Sequence, residues 1–152
     1  MTVIAYRDGV LAADKLSEAN GLRGTVTKIF RVGDAMVGIC GAMTMALECV
    51  DWLRGGANPK HIPDFQRTDE CQNLMVIQDK KIWIYERGAI PLLIEDEYCA
   101  IGCGSDIAMA AMWCGKDAIE AVQCAIALNT GCGQGIDFLQ AEAKPTRKRK
   151  KA

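Results

Sequence analysis

The chain has 152 residues, of which 50% are apolar and 24% charged, and its net charge is −1. These values are typical of one globular domain that is large enough to hold its own core. No apolar run is long enough to cross a bilayer, and the first residues lack the basic-then-apolar pattern of a secretory signal. The sequence therefore predicts a cytoplasmic protein without a membrane partner.

Eight cysteines are many for this length, but no two form a Cys-x-x-Cys pair and most lie in apolar segments. The chain has a single histidine, His61, in a loop flanked by prolines. Zinc sites need clusters of cysteine and histidine at short spacing, so we expect no metal and no cofactor. The cysteines are better interpreted as small buried hydrophobic residues than as a disulfide framework.

The first fourteen residues predict a β-hairpin, because apolar β-formers flank the turn signal Asp8-Gly9. A three-residue loop would pair Thr2 with Asp14 and place a hydroxyl opposite a carboxylate. A two-residue loop would shift the register by one and place Asp14 opposite Val3, on the other face. The relation between Thr2 and Asp14 therefore depends on the turn type.

A third strand is predicted from Thr25 to Val32, with Lys28 on the same face as its apolar residues. Because a buried unpaired ammonium is costly, Lys28 either extends to solvent at a strand edge or is held by a carboxylate. Asp14 ends the apolar face of another strand and is the candidate partner.

The rest of the chain alternates between strand and helix patterns. Helices are predicted from Met43 to Leu53, from Asp106 with Ser105 as its cap, and from Lys116 to Leu128; further strands are predicted at 35–40, 74–78, 82–86 and 136–139, and an irregular crossover at 57–72. This order predicts an α+β fold with two antiparallel sheets stacked between helical layers. The first helix has more apolar surface than one buried stripe needs, so part of it packs on a neighbouring subunit or under a second layer of the same chain.

We expect one domain over residues 1–141 and a basic tail at 142–152. The tail has many lysines and arginines without apolar partners, which predicts disorder. A nucleic-acid partner is not favoured, because no other basic surface is visible in the sequence.

Five segments resemble, in their order and spacing, the N-terminal-nucleophile (Ntn) hydrolases of the proteasome type, and especially the bacterial heat-shock-locus V (HslV) peptidase and its short phage and prophage relatives. They are residues 2–5, 9–14, 26–29, 38–41 and 101–104. The resemblance spans about residues 2–139. It implies a four-layer αββα Ntn-hydrolase sandwich and a threonine-type endopeptidase subunit of a self-compartmentalised ring.

The resemblance implies roles for individual residues. Thr2, exposed once Met1 is removed, falls at the nucleophile, and its own α-amine is the base because such an amine titrates at about 7.7–8.0. Asp14 and Lys28 fall at a carboxylate–lysine pair whose positive charge favours the neutral amine. Gly41 falls at the glycine whose backbone N–H binds the developing oxyanion.

Two positions depart from the family pattern. Cys103 stands where the family usually has a serine that hydrogen-bonds the N-terminal amine, and a thiol is a weaker partner. Asn129 stands where relatives often have an aspartate, and its amide adds no negative charge. Without the resemblance, Cys103 would be interpreted as a small buried residue and Asn129 as a helix C-cap.

The resemblance also implies a homo-oligomeric ring that degrades peptides or unfolded proteins, with an ATP-dependent unfoldase as partner. The alternative is a catalytically inactive, proteasome-like structural or assembly subunit, for which a phage is one possible source. The departures at Cys103 and Asn129 favour it, and the intact Thr2, Asp14, Lys28 and Gly41 oppose it. A cysteine amidase that uses Cys103 as nucleophile is a third interpretation, but it lacks a suitably placed histidine.

Overall fold

The computed structural model describes residues 1–64, 73–86 and 88–142. Within these ranges the elements are, in chain order, β1 (Ile4–Arg7), β2 (Val10–Asp14), β3 (Leu16–Ala19), β4 (Leu22–Thr25), β5 (Ile29–Val32), β6 (Ala35–Cys40), α1 (Met43–Arg54), a 3₁₀ helix (Pro59–His61), β7 (Asn73–Gln78), β8 (Lys81–Tyr85), β9 (Leu92–Ile94), β10 (Tyr98–Ile101), α2 (Ser105–Trp113), α3 (Ala118–Leu128) and β11 (Ile136–Gln140).

Two antiparallel sheets form the centre of the fold, one in the order β10-β1-β2-β11 and one in the order β5-β6-β7-β8-β9. Apolar residues of both sheets meet between them, including Ile4 and Leu11 from the first sheet and Met75 and Ile77 from the second. Helix α1 packs on the five-stranded sheet, while α2 and α3 pack on the four-stranded sheet. The predicted α+β fold of two antiparallel sheets between helical layers is confirmed.

The turn between β1 and β2 has two residues. Asp8 and Gly9 both have positive φ, 49° and 81°, as the type I′ turn of tight hairpins requires. The backbone N–H of Asp14 donates to the carbonyl of Val3 at 3.1 Å. The register is therefore the one that places Asp14 opposite Val3, and Thr2 does not pair with Asp14 across the hairpin.

The single strand predicted from Thr25 to Val32 is wrong. Thr25 ends β4, which pairs with β3 in a separate two-stranded sheet, and residues 26–28 lie outside strands before β5 begins at Ile29. Asn20 and Gly21 between β3 and β4 have positive φ, so this hairpin also closes through a tight turn. Lys28 therefore lies outside a strand, so the alternation of side chains along a strand does not fix the direction of its side chain.

The helices begin near the predicted positions, with two differences. Ser105 is the first residue of α2 and Gly104 occupies the N-cap position, so the prediction of Ser105 as cap is wrong. Helix α3 begins two residues later than predicted, because the Asp117 side chain accepts from the N–H of Glu120 and the Glu120 side chain accepts from the N–H of Asp117. This reciprocal capping box makes Asp117 the N-cap, so the helix begins at Ala118.

Most of the apolar surface of α1 is covered by the same chain. Met45, Val50 and Trp52 are buried, while the Leu47 side chain is half exposed. The described residues contain no helix long and apolar enough to span a membrane. Part of the predicted crossover, 65–72, and nearly all of the basic tail, 143–152, lie outside the described residues.

Candidate active site

Asp14 and Lys28 form a buried ion pair. The Nζ of Lys28 lies 2.8 Å from Oδ1 of Asp14, and the two side chains are 3% and 0% exposed. Lys28 therefore does not extend to solvent. Asp14 is the last residue of β2 and Lys28 immediately precedes β5, so the pair joins the two sheets at one end of the sandwich.

Backbone donors hold the Asp14 carboxylate in place. Oδ1 also accepts from the N–H of Val3 at 2.9 Å, and Oδ2 accepts from the N–H groups of Leu16 at 3.2 Å and Gly133 at 3.0 Å. A carboxylate with this many donors has a fixed orientation. Sequence reasoning missed these donors, because every residue except proline carries an N–H; the glycine-rich run around Gly133 was the available signal.

The N-terminal peptide lies against this ion pair. The carbonyl oxygen of Met1 accepts from Nζ of Lys28 at 3.2 Å and from the Oγ1 hydroxyl of Thr2. Met1 is 57% exposed, whereas Thr2 is 4% exposed. The ammonium of Lys28 therefore contacts the peptide bond whose cleavage would free the amine of Thr2.

A tight loop after β10 holds the other side of Thr2. The N–H of Thr2 donates to Sγ of Cys103 at 3.2 Å, and the N–H of Gly104 donates to the carbonyl of Thr2 at 3.1 Å. Gly102 has φ of +95°, and a Cβ at this position would lie 2.3 Å from the carbonyl oxygen of Thr2. Only glycine fits this approach. Cys103 is exposed, so its interpretation as a small buried residue is wrong.

Asn129 connects this loop to the glycine-rich run. Its Nδ2 donates to the carbonyl of Cys103 at 2.9 Å, and its Oδ1 accepts from the N–H of Gly131 at 2.8 Å. Asn129 is also the C-cap residue of α3. Asn129 contacts Cys103 rather than Thr2, so its hydrogen bond helps to hold the loop that carries Cys103.

Cys132 lies beneath these loops and is 4% exposed. Burial raises the pKa of its thiol to about 12, and the neighbouring Cys103 and Asp14 act in the same direction. Cys132 is therefore a neutral thiol beside the cluster, and sequence reasoning did not single it out.

Gly41 follows the end of β6, with φ of +116°. The N–H of Ile39 donates to the carbonyl of Lys28 at 3.1 Å, so the end of β6 runs beside the Lys28 backbone. In the described part of the chain, Thr2 forms no hydrogen bond with Gly41. The structure therefore brings together Thr2, Asp14, Lys28, Cys103 and Asn129, and places Gly41 on the adjoining strand end.

His61 lies elsewhere, in the lining of a cavity of about 420 Å³ at the end of α1 together with Glu48, Asp51 and Trp52. Nothing places its imidazole beside Cys103. Among the described residues, no three or more histidine, cysteine, aspartate or glutamate side chains are grouped as a metal site would require.

Solved structures share this architecture of two antiparallel sheets between helical layers. The solved structure of BPH from Thiobacillus denitrificans in complex with epoxomicin is 18% identical to the chain, with a TM-score of 0.68, and the match covers 93% of this chain and 99% of that one. A second BPH structure is 21% identical, with a TM-score of 0.67 and coverage of 93% and 98%. The eukaryotic HslV from Trypanosoma brucei is 16% identical, with a TM-score of 0.69 and coverage of 91% and 97%.

No family model matches the sequence, and no curated protein matches it. At these low identities the likeness of the solved structures is one of fold. The chain therefore has the HslV-type Ntn-hydrolase fold that its sequence resemblance implied.

Proposed function

We propose that this chain is a threonine-type endopeptidase subunit whose nucleophile is Thr2 after removal of Met1. The observation that carries the proposal is the position of the Thr2 nitrogen and hydroxyl. The carbonyl of Met1, which is bonded to the Thr2 nitrogen, accepts from the Thr2 hydroxyl and from Nζ of Lys28, whose buried partner is Asp14. A hydroxyl, an adjacent nitrogen that becomes an amine, and a fixed positive charge are the groups that nucleophilic catalysis by a terminal threonine needs.

The proposed chemistry uses these groups together with Gly41. The neutral amine of Thr2 takes the hydroxyl proton, and the cation of Lys28 favours this neutral form over the ammonium. The hydroxyl oxygen attacks the substrate carbonyl, and a backbone N–H at Gly41 stabilises the oxyanion. The leaving amine then takes the proton, and water hydrolyses the ester. Cys103 accepts a hydrogen bond from the Thr2 nitrogen and thereby orients the base.

We further propose a homo-oligomeric ring that receives peptides or unfolded protein, with an ATP-dependent unfoldase as partner. Support comes from the HslV and BPH neighbours, which match over more than nine-tenths of this chain. Large apolar side chains are exposed at the ends of α2 and α3, where Trp113 is 81% and Leu128 74% exposed. In the proposed ring, a neighbouring subunit would cover these side chains.

The experiment is a peptide-cleavage assay on protein whose intact mass shows that Met1 has been removed. Thr2→Ala should abolish cleavage and leave the fold intact, because the hydroxyl supports no core, and Thr2→Ser should retain part of the activity. Thr130→Ala, at an exposed threonine in the glycine-rich run, is the matched control and should cleave like the parent.

Two outcomes would contradict the proposal. Full activity of Thr2→Ala would exclude Thr2 as nucleophile. A folded, Met1-free parent that cleaves no peptide would favour the inactive structural subunit. Because BPH was solved with epoxomicin, this compound is a second probe: a mass adduct on the peptide that begins at Thr2 is expected in the parent and not in Thr2→Ala.

A further inference from the structure

Two cysteines lie on loops that pack against each other beside Thr2. A Cβ at Gly104, the residue after Cys103, would lie 2.8 Å from Sγ of Cys132. A Cβ at Gly131, the residue before Cys132, would lie 3.1 Å from Sγ of Cys103. Each thiol therefore rests against the residue adjacent to the other cysteine.

The two thiols have different access to solvent. Cys103 is exposed, and its Sγ contacts the Thr2 nitrogen at 3.2 Å. Cys132 is 4% exposed and lies beneath the loop that carries Cys103. An oxidant in solution thus reaches Cys103 first. Cys132 is then positioned to react with the oxidised sulfur of Cys103.

We propose that Cys103 and Cys132 are a redox modification site that closes reversibly to a disulfide and thereby inactivates Thr2. The oxidant is a peroxide. The Cys103 thiolate attacks one peroxide oxygen, the O–O bond breaks, and Cys103 becomes a sulfenic acid while the other oxygen leaves as water. The Cys132 sulfur then displaces the sulfenic hydroxyl, which leaves as a second water. The two thiols have lost two electrons and two protons to the peroxide.

The disulfide would change the surroundings of the amine. Sγ of Cys103 accepts from the Thr2 nitrogen and donates to the Thr2 carbonyl at 3.4 Å. In the disulfide, Sγ has no proton to donate and turns toward Cys132, so both contacts are lost or weakened. The effect on peptide cleavage rests on the proposed function, whereas the crosslink itself does not.

The test treats reduced, Met1-free protein with hydrogen peroxide and digests it without reduction. Mass spectrometry should find the Cys103 and Cys132 peptides joined, with loss of two hydrogens, and dithiothreitol should separate them. The parent should lose most of its cleavage rate on oxidation and recover it on reduction. Cys132→Ala should cleave like the parent when reduced, but after peroxide it should accumulate sulfenic acid that dimedone traps.

Cys114→Ser is the control, because Cys114 is an exposed cysteine at the end of α2, and its crosslink yield should equal the parent's. A parent that accumulates dimedone-reactive Cys103 as readily as Cys132→Ala would overturn the proposal, as would a crosslink from Cys103 to another cysteine. A Cys103–Cys132 crosslink in a protein that cleaves no peptide would support the modification site and contradict the proposed function instead.

Discussion

The Nζ of Lys28 lies 2.8 Å from Oδ1 of Asp14, with neither side chain more than 3% exposed. Burying two charges costs desolvation energy that their attraction repays only in part, so such a pair is weak evidence for stability. Nζ of Lys28 also donates to the carbonyl of Met1, so its positive charge lies beside the peptide bond to the Thr2 nitrogen.

Lys28→Met should destabilise the protein by about 3 kcal/mol and abolish peptide cleavage. Methionine fills a similar volume but leaves the Asp14 carboxylate without its cation. The loss should be at the low end for a broken buried pair, because three backbone N–H groups still bind Asp14. Urea unfolding measures the stability. Lys116→Met, at an exposed pair with Glu120, is the control and should leave the midpoint nearly unchanged; an equal shift in both variants would contradict the prediction.

Hydrophobic periodicity was sufficient to predict the layers, since the strands and helices that carry the core have strong patterns. It was insufficient for β3 and β4, because almost every residue of that hairpin is exposed and no apolar alternation marks it. The hairpin register could not be predicted either. The Asp8-Gly9 pair suits both loop lengths, and the choice depends on whether Asp8 takes a positive φ.

The candidate site was easier to predict at its side chains than at its backbone. A lysine in an apolar segment and a carboxylate at a strand end are both unusual. Their pairing could therefore be predicted from the sequence, as it was for Lys28 and Asp14. The donors to Asp14 from Leu16 and Gly133 are backbone groups, which depend on how three loops meet. Cys132 likewise looked like any buried cysteine until its packing partner was known.

Gly102→Ala should abolish cleavage and destabilise the protein more than backbone strain explains. Its Cβ would lie 2.3 Å from the Thr2 carbonyl, at φ of +95°. Gly115→Ala is a matched control, because Gly115 has φ of +91° but no atom within 4 Å of the added Cβ. Left-handed strain alone costs about 1–2 kcal/mol. Urea unfolding should show that loss for Gly115→Ala, with cleavage intact; equal effects in the two variants would show that the contact with Thr2 is unimportant.

Stability should fall as the pH rises above about 9. Burial raises the pKa of both Cys49 and Cys132 from 9.0 to about 12, so between these values the unfolded chain releases thiol protons that the native state retains. The unfolded state then binds fewer protons, and the free energy of unfolding decreases with pH. Denaturant titrations across this range should show a shallower decrease for Cys49→Ala and Cys132→Ala than for the parent, and Cys114→Ala at an exposed thiol should keep the parent's slope. A parent slope of zero in this range would contradict the prediction.

Cys103→Ser replaces a single sulfur atom by oxygen, and the threonine and cysteine mechanisms predict opposite effects of this change on peptide cleavage. The serine hydroxyl is a stronger hydrogen-bond partner than the thiol for the nitrogen that lies 3.2 Å from Sγ, so the amine of Thr2 should be held at least as well.

Peptide cleavage by Cys103→Ser should therefore equal or exceed that of the parent, and peroxide should no longer slow it, since the residue that starts the disulfide is gone. The readout is kcat with and without peroxide, on protein shown by mass to lack Met1. Cys114→Ser is the control and should retain the parent's sensitivity to peroxide. If Cys103→Ser folds normally but cleaves nothing, while Thr2→Ala still cleaves, Cys103 is the nucleophile and the threonine mechanism is wrong.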